Sequence, residues 1–111
     1  MAADLSSETP PIAIKRVTMD SNPGDVTAIT LPSWVRKVTV VFKQSGGTDD
    51  TGKLVLSGTD SAAAGNDHFP IASGAALEWQ VSPGRSTQRG GEIVYLAAGT
   101  ASAYAHLLME A

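Results

Sequence analysis

Two histidines, a scatter of loop carboxylates, two tryptophans and one arginine-bearing loop are the groups in this chain with chemistry to offer. His68 and His106 are the only histidines among 111 residues. Paired imidazoles hold zinc when they stand close on one element, as in H-x-x-x-H or HExxH, and no such spacing occurs here. His68 follows Asn66-Asp67 in a loop and His106 lies in an extended pattern between Tyr104 and Leu108, so both read as structural or surface groups. Asp49-Asp50, Asp60 and Asp67 are loop aspartates of the kind that collect calcium. The D-x-D-x-DG run of an EF-hand is missing, and Asx turns account for them better. Glu78 and Glu92 are the one carboxylate pair to weigh against glycoside hydrolysis. Each alternates with apolar neighbours, which turns it to solvent. No cysteine is present, which excludes thiolate catalysis, disulfides and Cys-based zinc sites, and no G-x-S-x-G, Walker or GxGxxG motif occurs. The expectation is a protein that is not an enzyme and needs neither cofactor nor metal.

Groups suited to contact rather than catalysis are easier to find. Ser82-Pro83-Gly84-Arg85-Ser86-Thr87-Gln88-Arg89-Gly90-Gly91 is a loop by composition. Arg85 and Arg89 within it can fork onto a carboxylate of a partner, the alternative being a solvated surface loop. Trp34 and Trp79 would make a sugar-stacking platform if exposed, but both fall on the apolar phase of their strands and read as core. Tyr104 is in the opposite phase from Ala103 and Ala105 and reads as an exposed contact. Residues 1–11 are polar and acidic, and Pro10-Pro11 favours an extended path. They read as an N-terminal arm that either mediates attachment or is a frayed end. The partner-binding candidates are therefore Pro10, Pro11, Arg85, Arg89 and Tyr104.

The elements that must position these groups are strands. Residues 12–20 form a first strand with Ile12, Ile14 and Arg16 on one face. Asn22-Pro23-Gly24 is a turn signal, and Val26, Thr27, Ile29 and Thr30 resume a β-branched strand. The strongest pattern spans residues 34–43. Trp34, Arg36, Val38, Val40 and Phe42 share one face, read as core, and Val35, Lys37, Thr39, Val41 and Lys43 share a half-exposed one. A return strand over residues 53–57 sets Leu54 and Leu56 on one face, and Pro70 marks residues 68–71 as an edge strand. Three further strands follow, over residues 77–81, 92–97 and 101–110. About eight strands at roughly 8–12-residue spacing, without a helical period, predict an all-β fold. The predicted core is Trp34, Val38, Val40, Phe42, Leu77, Trp79, Ile93 and Tyr95.

Composition bounds the functional classes. The 111 residues make one domain, and 42% hydrophobic with 17% charged residues fits a folded chain. The net charge is −3, and the eight Lys and Arg are scattered, so no basic face for nucleic acid is expected. No apolar stretch approaches the roughly 20 residues that span a bilayer. The start has no charged n-region followed by an apolar h-region, so no secretory signal is expected.

The C-terminal third resembles short β-proteins of tailed bacteriophage virions. The resemblance lies in Phe69-Pro70-Ile71-Ala72-Ser73-Gly74-Ala75-Ala76-Leu77-Glu78-Trp79-Gln80-Val81, then a Gly-rich loop. It continues in Ile93-Val94-Tyr95-Leu96-Ala97-Ala98-Gly99-Thr100-Ala101-Ser102-Ala103-Tyr104-Ala105-His106-Leu107-Leu108-Met109-Glu110. Thr30-Leu31-Pro32 before the Trp34 strand adds a weaker cue. Within that class, a small acidic domain with an extended arm is similar to capsid decoration, or cement, proteins. The resemblance implies a virion structural protein with no catalytic residues to carry over. Its expected partners are the major capsid protein or other virion proteins, and copies of itself as a homo-oligomer, a trimer by preference. A tail, head-tail adaptor or head-fibre component is the alternative within the class, and a carbohydrate- or receptor-binding β-domain the alternative outside it. The fold expected is one β-sandwich or jelly-roll-like domain over residues 12–111, preceded by the arm.

Overall fold

Residues 2–55, 68–81 and 93–111 are described by a computed structural model. They contain no helix and nine strands: β1 (Ala2–Asp4), β2 (Ile12–Thr18), β3 (Val26–Thr30), β4 (Lys37–Lys43), β5 (Gly52–Val55), β6 (His68–Ile71), β7 (Ala76–Gln80), β8 (Ile93–Ala98) and β9 (Tyr104–Glu110). Four antiparallel pairs set the topology: β2 with β9, β3 with β8, β4 with β7, and β5 with β6. Together they make one long ribbon with β5 and β6 at its tip. The ribbon folds over so that β9 also pairs with β4 and β8 with β5. Two sheets result, β2-β9-β4-β7 and β1-β3-β8-β5-β6. A rolled ribbon of this kind is the jelly-roll form of the β-sandwich.

The sandwich is held by alternate residues of its central strands. Val38, Val40 and Phe42 of β4 are fully buried, whereas Lys37, Thr39, Val41 and Lys43 on its other face are only partly so, matching the predicted phase. Ala105, Leu107 and Met109 of β9 join them from the neighbouring strand, and Ile29 and Leu96 meet them from the opposite sheet. Burying each large apolar side chain contributes about 1.5–3 kcal/mol. At the predicted turn, Gly24 adopts φ 85° and Asp25 N–H bonds the Asn22 carbonyl at 3.2 Å, closing the approach to β3.

Three expectations are corrected. First, Val94 and Leu96 of β8 face the main core, and Ile93 and Tyr95 are half-buried. Tyr95 packs instead with Val26, Val55 and Ala97 in a small separate cluster. The run Ile93-Val94-Tyr95-Leu96-Ala97 is apolar in both phases, so period-2 reasoning has nothing to choose between. Second, Trp34 precedes β4. The Val35 N–H bonds the Pro32 carbonyl at 3.2 Å, making a turn that breaks the alternation and buries Val35. Third, residues 2–11 run along the domain and not away from it. Ala2–Asp4 pairs in parallel with β3, Leu5 enters the core, and Leu5 N–H bonds the Thr30 carbonyl at 2.9 Å. Leu5 is the one large apolar residue of the stretch, and its burial with a few ladder hydrogen bonds is enough to hold the segment down. Asp4 is exposed, and hydrogen bonds from the Ser6 hydroxyl and N–H hold its carboxyl below the usual range.

Candidate partner-binding face

The outward side of the β2–β9 ribbon gathers most of the described groups suited to contact. Alternation along β2 turns Ala13 and Val17 inward and Ile12, Ile14, Arg16 and Thr18 outward. The more hydrophobic phase of this strand therefore faces solvent. Ile12 is 57% and Ile14 72% exposed, large values for isoleucine in a strand. Register sets Ile14 beside Leu108 and Arg16 beside His106. On the other flank of β9, Leu108 faces Thr39 and His106 faces Val41. A band of Ile14, Leu108 and Thr39 thus crosses the sheet, with Val41 one row away.

One end of the face is aromatic and cationic. The Arg16 guanidinium lies 4.3 Å from the centroid of the Tyr104 ring. Tyr104 and His106, two residues apart on one side of β9, meet edge to face at 6.4 Å. An exposed cation–π contact of this type contributes about 0.5–1 kcal/mol. It also holds Arg16 flat on the sheet, so that the cluster presents a prepared surface. At the other end, Ile12 and Lys37 flank Glu110. Lys37 forms an ion pair of 3.2 Å with Glu78 of β7.

Of the partner-binding candidates, the structure brings three to this ribbon. Tyr104 is half-buried on the outward face and opens β9. Pro10 and Pro11 are exposed and lead into β2, where the Pro11 carbonyl accepts the Ala111 N–H at 3.0 Å. Prolines and tyrosine stand near opposite ends of the ribbon, about 24 Å apart at the rise of a strand. Arg85 and Arg89 lie outside the described residues, as do Glu92, Asp60 and Asp67. Sequence reasoning missed Ile12 and Ile14 as contact residues. The signal was their pairing with Arg16 in the same phase, since a face that ends in arginine is a poor candidate for core.

The remaining polar candidates have local work. Asp50 is buried, and its carboxylate accepts the Thr51 N–H at 2.8 Å, the Thr100 hydroxyl at 2.8 Å and the Thr100 N–H at 3.2 Å. It ties the β4–β5 connection to the β8–β9 turn. Asp49 pairs with Lys43. No group of three His, Asp or Glu side chains able to hold a metal ion occurs among the described residues. Both tryptophans are engaged in packing. The Trp34 indole N–H donates to the Glu8 carbonyl at 2.8 Å, and Trp79 lies on the core side of β7 opposite Val38. A cleft of about 250 Å³ at the Asp50 end is lined by Pro23, Gly24, Thr51, Lys53 and Gly99, with Lys53 the one charge among the described lining residues. Compared with protein-family models, curated proteins and solved structures, the chain shows no match.

Proposed function

We propose that this protein is a structural component of a bacteriophage virion that decorates the assembled capsid, binding the major capsid protein lattice as a homo-oligomer. The observation that carries the reading is the outward β2–β9 face. It exposes Ile12 and Ile14 beside Leu108 and ends in the Arg16–Tyr104–His106 cluster. Contiguous exposed apolar side chains rimmed by polar groups favour a protein surface as partner. The resemblance of the C-terminal third to virion β-proteins directs that preference toward a shell. On a symmetric lattice each copy needs only a modest contact, because linked copies bind with far greater avidity than one alone.

The role assigned is binding, without a catalytic step. A sugar-stacking role has less support, since Trp34 and Trp79 both pack against the core. Mass spectrometry of purified particles is the direct test, with cosedimentation of the purified protein on empty heads beside it. The expected result is a stoichiometric component that saturates the heads. Absence from the particle, with no binding to heads, overturns the reading. Density in a cryo-EM map separates a capsid position from a tail, adaptor or head-fibre position.

A further inference from the structure

The geometry points to a two-fold dimer of this protein, formed by antiparallel pairing of β2 with β2 of a second copy, centred on Ile14. The inference is independent of the virion reading, and it replaces the expected three-fold arrangement at this edge.

Strand edges left open are sites of pairing, and folded proteins blunt them with short strands, proline or charge. Among the described strands, three of the four sheet edges are treated in that way. β1 is three residues long, β6 contains Pro70, and β7 sets Glu78 and Gln80 on its outward face. The fourth, β2, is seven residues long, has no proline, and sets two exposed isoleucines on its outward face. Its two charges are engaged within the chain, Lys15 by Glu8 at 3.7 Å and Arg16 over the Tyr104 ring at 4.3 Å.

The hydrogen-bond phase of β2 can be read from its ends. Ala111 N–H bonds the Pro11 carbonyl, and Met19 N–H bonds the Ala103 carbonyl at 2.7 Å. Both contacts continue the β2–β9 register. In an antiparallel ladder bonding alternates, so residues 11, 13, 15, 17 and 19 bond β9. The backbone groups of Ile12, Ile14, Arg16 and Thr18 then point away from β9. Among the described residues they have no other partner strand and no other backbone hydrogen bond. In residues 5–11, Glu8 meets Lys15, a residue of the other phase, at 3.7 Å.

Several registers pair outward positions with outward positions, and side chains and overlap choose among them. With the axis at Ile14, Ile14 faces Ile14 of the second copy, Ile12 faces Arg16, and Ala13 faces Lys15. Each of the outward backbone positions 12, 14 and 16 then meets another outward position. Moving the axis to Lys15 keeps the backbone match but sets Lys15 against Lys15, and like charges directly opposite are destabilising. An axis at Ala13 sets Ile12 against Ile14 without opposing like charges but pairs only residues 12–14 of β2, against 12–16 about Ile14, so charge and overlap together select the Ile14 register. The product is a continuous sheet, β7-β4-β9-β2 joined to β2-β9-β4-β7. It carries an unbroken apolar row of Leu108, Ile14, Ile14 and Leu108 on its outward face.

Sedimentation and light scattering of the purified chain test this without any capsid. The expected mass at high concentration is twice 11.4 kDa. Ile14→Glu, which sets two carboxylates against each other, should weaken dimerisation about five-fold or more with unchanged circular dichroism. Ile12→Glu, which faces Arg16 of the second copy, should leave the dimer intact or tighter. The chain lacks cysteine, so Ile14→Cys should oxidise to a covalent dimer, because hydrogen-bonded antiparallel partners are about 5.5 Å apart at Cα. Thr18→Cys should not, its counterpart lying roughly 27 Å away along the pair. A monomer at every concentration overturns the proposal, including one whose β2 edge is filled only by a strand of a shell protein. So does an oligomer indifferent to Ile14→Glu. If Ile14→Glu tightens the pair, the axis is at Lys15 and the proposed register is wrong.

Discussion

The ring of Phe42 occupies the place where a side chain of residue 52 would stand. Phe42 belongs to β4 in one sheet and Gly52 to β5 in the other, and a Cβ built on Gly52 would fall inside the ring's van der Waals envelope. The largest fully buried side chain of the domain is thus seated against bare backbone. Two residues before Gly52, Asp50 fixes the same end of the sandwich through Thr100. Close approach of the sheets and closure of the loops above them are one arrangement.

Gly52→Ala should therefore destabilise the domain by about 1–3 kcal/mol, the usual cost of forcing extra volume into a packed core. Gly46→Ala is the control, because nothing lies within 4 Å of the added carbon. A surface change of that kind stays within about 0.5 kcal/mol. Urea midpoints of the two variants provide the measurement.

Thr27 is fully buried on the core side of β3, and its Oγ1 has no hydrogen-bond partner. A buried hydroxyl without a partner carries a desolvation penalty of about 1–3 kcal/mol. Thr27→Val keeps the branched shape and removes the hydroxyl. It should raise stability by about 1 kcal/mol, read as a higher denaturant midpoint at unchanged slope.

Legibility in the sequence followed local contrast. In residues 37–43 valine and phenylalanine alternate with lysine and threonine, so the buried face of β4 could be read directly. In residues 93–98 no polar residue marks either phase, and only the position of β8 inside its sheet decides that Val94 faces the main core. The first strand carries contrast of another kind. Ile12 and Ile14 share a phase with Arg16, while the other phase buries Ala13 and Val17 with Lys15 half-buried between them. Hydrophobicity alone points the wrong way there, because the bulkier apolar side chains lie on the exposed face and the buried face includes Lys15. Pairing of Ala2–Asp4 with β3 is a long-range event three residues long, and no local pattern announces it.

The phase of β8 has a direct check. Val94→Ala should cost about 1–3 kcal/mol, and Ile93→Ala less despite the larger side chain removed, since Val94 is buried in the main core and Ile93 only half-buried. Thermal midpoints falling in the opposite order would place Ile93 inside.

The N-terminal stretch offers the sharpest change of expectation. Its polarity and its two prolines suggest a tail whose removal leaves the domain untouched. In the structure it supplies β1, the buried Leu5 and the carbonyl of Glu8 that accepts the Trp34 indole N–H. Deleting residues 2–11 removes all three. Leu5→Ala alone should cost about 2–4 kcal/mol if the pocket fails to collapse. The full deletion should cost more and lower the melting temperature by several degrees, since about 1 kcal/mol moves a domain of this size by roughly 4–8 °C. Trp34 would lose its hydrogen-bond partner and its cover, so tryptophan emission should shift to the red in the truncated protein before any denaturant is added. A truncated chain that melts with the intact one and keeps its emission maximum would show that the segment adds nothing to the core. The same truncation leaves β2 in place, so dimerisation through Ile14 should persist wherever the shortened domain stays folded.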